Sequence, residues 1–249
     1  MKKQIVILSA VAGLAVGATI ALAGSEPGTG IVLSKHDMNL QTGNGAIADS
    51  KGRVCAFCHT PHHKLDAADL DYNPLWSHDI STGTYIAYGE KSTSFDATIG
   101  ADPLSGPSRL CMSCHDGVIA VDQHYGIGGT ATGTHLQGDD FNQVAVGLGK
   151  DLSNDHPIGF MIEDAILNDG TASDGGITAF GNALNAVLVT SNPRFQSKNM
   201  TDLGYKLASN QSLFTCASCH EVHNKDNNEE AFLYDKQAGS AFCLMCHNK

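Results

Sequence analysis

Aromatic and basic side chains are scarce in this 249-residue sequence. Phe, Trp and Tyr make up 6% of the chain, with a single Trp, whereas Gly occurs 27 times. This composition offers little apolar side-chain volume, so we do not expect a conventional hydrophobic core. Lys and Arg number 15 against 26 Asp and Glu, for a formal net charge of −11. Because phosphate groups bind to basic surfaces, the charge argues against nucleic acid and anionic membranes as partners.

Long apolar runs are also missing, except at the N-terminus. Lys2 and Lys3 precede an apolar run from Ile5 to Ala23 that ends in Ala-Leu-Ala, the pattern of a cleaved secretory signal. We therefore predict a signal peptide at residues 1–23 and an exported chain at residues 24–249 without a membrane span. The run is close to the length of a spanning helix, so an uncleaved anchor is the alternative.

No cysteine lies outside one repeated motif. The 8 cysteines form four CxxCH sequences, at residues 55–59, 111–115, 216–220 and 243–247. CxxCH is the attachment signature of c-type haem, in which two thiols bond to the porphyrin and the adjacent imidazole binds iron. Zinc does not require His after each cysteine pair, and a zinc ribbon spaces its pairs more closely than the first three motifs here. Dithiols or disulfides leave the four histidines unexplained.

We therefore predict four covalently bound haem c groups. Their thioether positions are Cys55, Cys58, Cys111, Cys114, Cys216, Cys219, Cys243 and Cys246. Their proximal iron ligands are His59, His115, His220 and His247.

The remaining histidines are numerous enough to bind the second side of every iron. Eight of the 12 histidines lie outside the motifs. Methionine is the alternative ligand, but Met112 and Met245 lie inside CxxCH loops and are badly placed to reach their own irons. We predict the distal ligands His36, His62, His156 and His223, with His78 beside Trp76 in reserve. We expect His63, His124 and His135 to be ordinary surface histidines.

Spacing supports these distal ligands. His62 and His223 each follow a proximal histidine by three residues, so they cannot easily reach their own iron but can reach a neighbouring one. His156 precedes Pro157, which fixes an extended backbone suited to presenting a ligand from a loop. His36 lies upstream of the first motif, within reach of an early haem.

The predicted fold is mostly irregular, with a few short helices and minimal strand, and wraps around a chain of four haems. We treat residues 24–249 as a single tetrahaem domain with two lobes. A helix is predicted near Met161 to Leu167, a strand near Ala186 to Thr190, and a short helix or strand at 116–122. Without haem, we expect a largely unfolded chain.

Several phrases resemble one known family. SKHDM, CAFCHTPH, PLWSH, SRLCMSCHDG, LSNDHPIGF and the closing CASCHEVH with CLMCHNK are similar to the OmcE-type tetrahaem cytochromes of metal-reducing bacteria. The tail also resembles the wider doubled-CxxCH family, although it has CHEVH in place of the common CHDPH. The resemblance implies an extracellular protein that polymerises into a filament with a continuous line of haems, alternately stacked and T-shaped. It also implies that His62 binds a haem of the adjacent subunit.

Electron transfer without catalysis is therefore the expected function. The expected partners are further copies of the chain, upstream periplasmic or outer-membrane cytochromes, and extracellular electron acceptors. The expected location is extracellular or at the cell surface, with the periplasm as the alternative. A monomeric periplasmic shuttle and a multihaem reductase of a small oxidant, which needs one open haem, remain the alternative functions.

Overall fold

A computed structural model describes residues 26–44, 46–62, 71–72, 74–88, 95, 97–125, 146–147, 150–168, 187–188, 190, 192–225 and 229–247. The predicted signal peptide at 1–23 and the histidines at 63 and 135 lie outside these residues. The described chain is mostly turns, bends and short 3-10 turns, with three short helices and one small sheet. The predicted fold class is confirmed. None of the described helices is long and apolar enough to cross a bilayer.

The first two helices follow from their sequences. Helix α1, Pro107–His115, begins with a proline, whose fixed φ suits the first helical position, after Gly106 at φ 65°. Helix α2, Ile162–Asn168, buries Ile162, Ala165 and Ile166 on one face and carries two acidic residues in its first turn. This helix agrees with the predicted one to within a residue. Helix α3, Ala241–Leu244, leads into the fourth motif.

The sheet is antiparallel and has its central strand last in sequence. Strands β1, Phe160–Met161, and β2, Tyr205–Lys206, both pair with β3, Ser212–Phe214. All three residues of β3 are buried, and β3 ends directly before the third haem motif. Of the predicted strand near 186–190, the described residues 187, 188 and 190 contain an isolated bridge from Val187 to Asn199, and residues 186 and 189 lie outside the described part. Residues 116–122 form bends and a turn instead of the predicted helix or strand.

A small hydrophobic core does exist, and it lies in the C-terminal half of the chain. Its buried members are Phe160, Ile162, Ala165, Ile166, Leu188, Phe195, Met200, Phe214 and Met245. Cys219 and Cys246 pack against this cluster, so the core directly supports the third and fourth motifs. Around the first two motifs the described apolar clusters are smaller. The expectation of little core therefore holds best for the N-terminal half.

Candidate haem-binding sites

Each CxxCH motif forms one tight turn that places two thiols and an imidazole together. In the first motif, the backbone N–H groups of Cys58 and His59 both donate to the carbonyl of Cys55, at 3.2 and 2.8 Å. The third and fourth motifs repeat this pattern, with distances of 3.2 and 3.0 Å and of 3.2 and 2.9 Å. The second motif lies in the last turns of α1. Three motifs with different surroundings thus share one hydrogen-bond pattern, and the second is helical.

Three of the proximal histidines face another histidine at a common separation. The ring centroids of His36 and His115 are 6.2 Å apart, and those of His156 and His247 are also 6.2 Å apart. The first-motif ligand His59 lies 6.4 Å from the ring of His223.

This separation fits one iron between each pair. Imidazole nitrogens bind transition metals at about 2 Å, and the ring centre lies roughly 1 Å beyond the nitrogen. Two imidazoles on opposite sides of one haem iron therefore have centroids about 6 Å apart. The ring planes differ among pairs: they are nearly parallel, at 16°, for His59 and His223, but cross at 75° and 69° in the other two pairs.

Hydrogen bonds fix which ring nitrogen is available for iron. Nδ1 of His59 donates to the Pro74 carbonyl at 2.9 Å, and Nδ1 of His220 donates to that of Phe232 at 3.2 Å. Two predicted distal ligands do the same: Nδ1 of His36 faces the carbonyl of Val222 at 3.3 Å, and Nδ1 of His156 faces that of Pro157 at 3.0 Å. A proton on Nδ1 leaves the Nε2 lone pair free, which is the arrangement that metal-binding histidines adopt.

Electrostatics keep His36 neutral, as a ligand must be. Burial and the neighbouring imidazole of His115 lower the pKa of His36 to about 4. His220 and His223 lower it further, so histidines of the first three haem sites meet in this region.

His223 differs from the other predicted ligands because its Nδ1 faces a carboxylate. Nδ1 lies 3.4 Å from Oε1 of Glu221, which is buried. The same carboxylate accepts hydrogen bonds from the backbone N–H groups of His223 and Lys225. Sequence reasoning did not identify Glu221, although its position next to a proximal histidine was the available signal.

His220 and His62 are the two predicted ligands without such a pairing. Within the described residues, no other histidine ring faces His220 at the separation of the three pairs. His62 is exposed at the end of a described segment. The reserve ligand His78 is fully buried, and its ring lies 6.4 Å from that of Trp76.

His124 has a structural role. It is buried, contrary to the expectation of a surface histidine. Its Nδ1 donates to the Asp122 carbonyl at 2.9 Å, and its Nε2 lies 3.3 Å from Asp49 Oδ1. Both nitrogens therefore have protein partners.

Thiols of successive motifs are neighbours, so the four motifs follow one another in space in the order of the sequence. Burial, followed by the nearby thiol of Cys114, raises the pKa of Cys58 to about 12, which places the first motif beside the second. The thiols of Cys111 and Cys216 shift each other's pKa, upward for Cys111 and downward for Cys216, so the second and third motifs are also neighbours. Burial and the neighbouring Cys246 raise the pKa of Cys219 to about 12, which links the third motif to the fourth. The attachment points form a continuous series.

The first and third motifs belong to an internal structural repeat. His59 forms an isolated antiparallel bridge with Trp76, and His220 forms one with Leu233. In each case the residue after the proximal histidine donates its N–H to a residue at positive φ: Thr60 to Leu75 (φ 57°) and Glu221 to Phe232 (φ 62°). The segments that pair with the two motifs differ in sequence and in their distance from the motif along the chain. Only the shared CHxxH pattern signals the repeat in the sequence.

The described residues do not fit the alternatives to haem. No cysteine pair forms a disulfide. No group of three or more His, Cys, Asp or Glu side chains in the described part converges as a zinc site requires. Paired thiols with a facing imidazole pair fit covalent haem c instead.

The four CxxCH turns define the class of multihaem c-type cytochromes, which are electron carriers with covalent haem c. Residues 208–249, which contain the third and fourth motifs, match the family model described as the doubled CXXCH motif. A search of curated proteins gave no match.

Proposed function

We propose that this cytochrome carries two axial histidines on every haem iron and polymerises into an extracellular filament that exports electrons. The proposed pairs within one chain are His36 with His115, His223 with His59, and His156 with His247. The three centroid separations of 6.2 to 6.4 Å support these pairs. The haem irons supply the one-electron redox chemistry.

Two halves of the chain follow the same plan. Each half has an upstream histidine, a CHxxH motif and a second CxxCH motif, and the upstream histidine faces the proximal ligand of the second motif. In the first half this pair is His36 and His115, and in the second it is His156 and His247. The CHxxH motifs are the structural repeat described above.

This plan indicates how chains join. Between the halves of one chain, His223 of the second half faces His59 of the first. The equivalent residue of the first half is His62, and its equivalent target is His220 in the second half. His62 of the partner subunit therefore completes the iron site at His220, and the junction between chains repeats the junction within a chain. This head-to-tail contact is heterologous, and such contacts build an open filament when their rotation does not close into a ring.

Electrons are expected to pass along this filament without a substrate site. The series of thiol neighbours holds the four attachment points in sequence order. Closely spaced haems with filled axial positions exchange electrons and leave no position for a ligand. The predicted signal peptide supports export. The acidic composition argues against nucleic acid as a partner.

One observation favours a second candidate function. His220 faces no second histidine among the described residues, so a solitary chain would offer one open iron, as a reductase of a small oxidant requires. The reductase and the filament are distinguished by whether this iron is open in the native assembly.

Negative-stain electron microscopy of the purified haem-loaded protein separates the filament from a soluble carrier. We expect unbranched filaments of constant diameter. Single particles at all concentrations would contradict the filament and favour a monomeric shuttle.

A further inference from the structure

The buried carboxylate of Glu221 contacts a proposed iron ligand, and its equivalent in the repeat is uncharged. The residue after the proximal histidine is Glu221 in the third motif and Thr60 in the first. Both are buried, with 7% and 6% of their surface exposed. The CHxxH segment of the third motif therefore carries a negative charge at this position, and that of the first motif does not.

The geometry holds Glu221 against His223. Its Oε1 accepts the backbone N–H of His223 at 3.0 Å and lies 3.4 Å from Nδ1 of the same residue. Its Oε2 accepts the N–H of Lys225. Both carboxylate oxygens therefore accept backbone hydrogen bonds, which holds the side chain against the imidazole of His223.

Four other proposed iron ligands have Nδ1 against an uncharged group. The Nδ1 atoms of His36, His59, His156 and His220 each lie against a backbone carbonyl. A carboxylate on a metal-bound histidine raises the basicity of the ligand and stabilises the more oxidised metal. A backbone carbonyl has a weaker effect because it carries no net charge.

We propose that Glu221 is a positioning residue that lowers the reduction potential of the iron held between His59 and His223. This proposal rests on the axial pairs proposed above. Reduction adds one electron to iron, and the proton stays on Nδ1 of His223 in both states. The two kinds of junction along the filament are therefore unequal, and electrons reside less readily at the junction within each chain.

An EPR-monitored redox titration tests this proposal on a single iron. Nearly parallel imidazole planes give a rhombic low-spin ferric signal, whereas crossed planes give a signal with a large maximum g value. His59 and His223 form the one near-parallel pair of the three, at 16°. The titration uses the full-length haem-loaded His62→Ala protein, in which the iron at His220 contributes no low-spin signal.

In the His62→Ala protein, the further substitution Glu221→Gln should raise the midpoint potential of the rhombic signal. A tenfold loss of affinity for ferric relative to ferrous iron, the lower end of the effect of such partners, corresponds for a one-electron couple to about 59 mV. Glu221→Asp keeps the charge and should give a smaller shift. The control is Glu163→Gln, which removes a carboxylate that accepts the Ser212 N–H; it should leave the midpoint unchanged.

The outcomes separate this proposal from the pairing beneath it. An unchanged midpoint in Glu221→Gln, with the rhombic signal intact, overturns the role of Glu221. A rhombic signal that survives His223→Ala overturns the axial pair itself. If Glu221→Gln does not load haem, the test uses the His62→Ala protein with Glu221 intact, whose rhombic signal should disappear last as the potential is lowered; earlier loss also overturns the proposal.

Discussion

Replacing His156 by alanine should open one iron of the four. His156 is exposed, stacks on Phe214 at 5.5 Å and donates one hydrogen bond, to the Pro157 carbonyl. Loss of that bond costs about 1 kcal/mol of folding free energy, so the fold should persist. The proposed iron ligand, by contrast, is lost completely, because His156 supplies the imidazole that faces His247.

The assay is the number of carbon monoxide molecules bound per reduced chain. Carbon monoxide needs an open position on ferrous iron, so His156→Ala should bind one molecule more than the parent protein, and a quarter of the ferric iron should become high-spin. His124→Gln is the control, since it disturbs a buried histidine bonded to Asp49 and should leave every iron low-spin. An unchanged binding number in His156→Ala would refute the pairing of His156 with His247.

Three further predictions concern assembly, acid stability and haem dependence. His62→Ala should abolish filaments seen by electron microscopy, whereas His63→Ala should not; normal filaments from His62→Ala would disprove the bridging role. Asp49 accepts hydrogen bonds from Lys51 and Arg53 and lies 3.3 Å from Nε2 of His124, and the Arg53 hydrogen bonds hold its pKa well below the usual 3.8. The Asp49 carboxylate therefore stabilises the fold above about pH 4, and this stabilisation is lost as the pH falls. The free energy of urea unfolding should show this loss between pH 6 and pH 3 in the parent protein and little of it in Asp49→Asn. Replacing both cysteines of the second motif should make the N-terminal half sensitive to limited proteolysis before residues 158–214, which contain most of the core; uniform resistance would contradict a haem-dependent fold.

The local chemistry of the chain could be predicted because it depends on short motifs. CxxCH fixes two thiols and an imidazole within one turn, whatever surrounds it. The scarcity of aromatic residues predicted the irregular fold, and the spacing of Ile162, Ala165 and Ile166 predicted α2. These properties follow from neighbours in sequence.

The pairing of the histidines and the hydrogen bonds that orient their imidazoles depend on contacts between distant segments, which the sequence does not specify. His223 of the second half faces His59 of the first. The segments between each CHxxH motif and its bridge partner also differ in length between the two halves. The carbonyls that orient the imidazoles belong to residues of unrelated types, such as Pro74 and Phe232. Any residue can supply a carbonyl, so no sequence pattern marks it.

Carbon monoxide binding to intact filaments and to dispersed His62→Ala protein tests the central claim most directly. If His62 of the partner subunit binds the iron at His220, reduced filaments should bind no carbon monoxide. Dispersed His62→Ala chains should then bind one molecule each. One molecule per chain in intact filaments, or none in dispersed His62→Ala protein, would contradict the account.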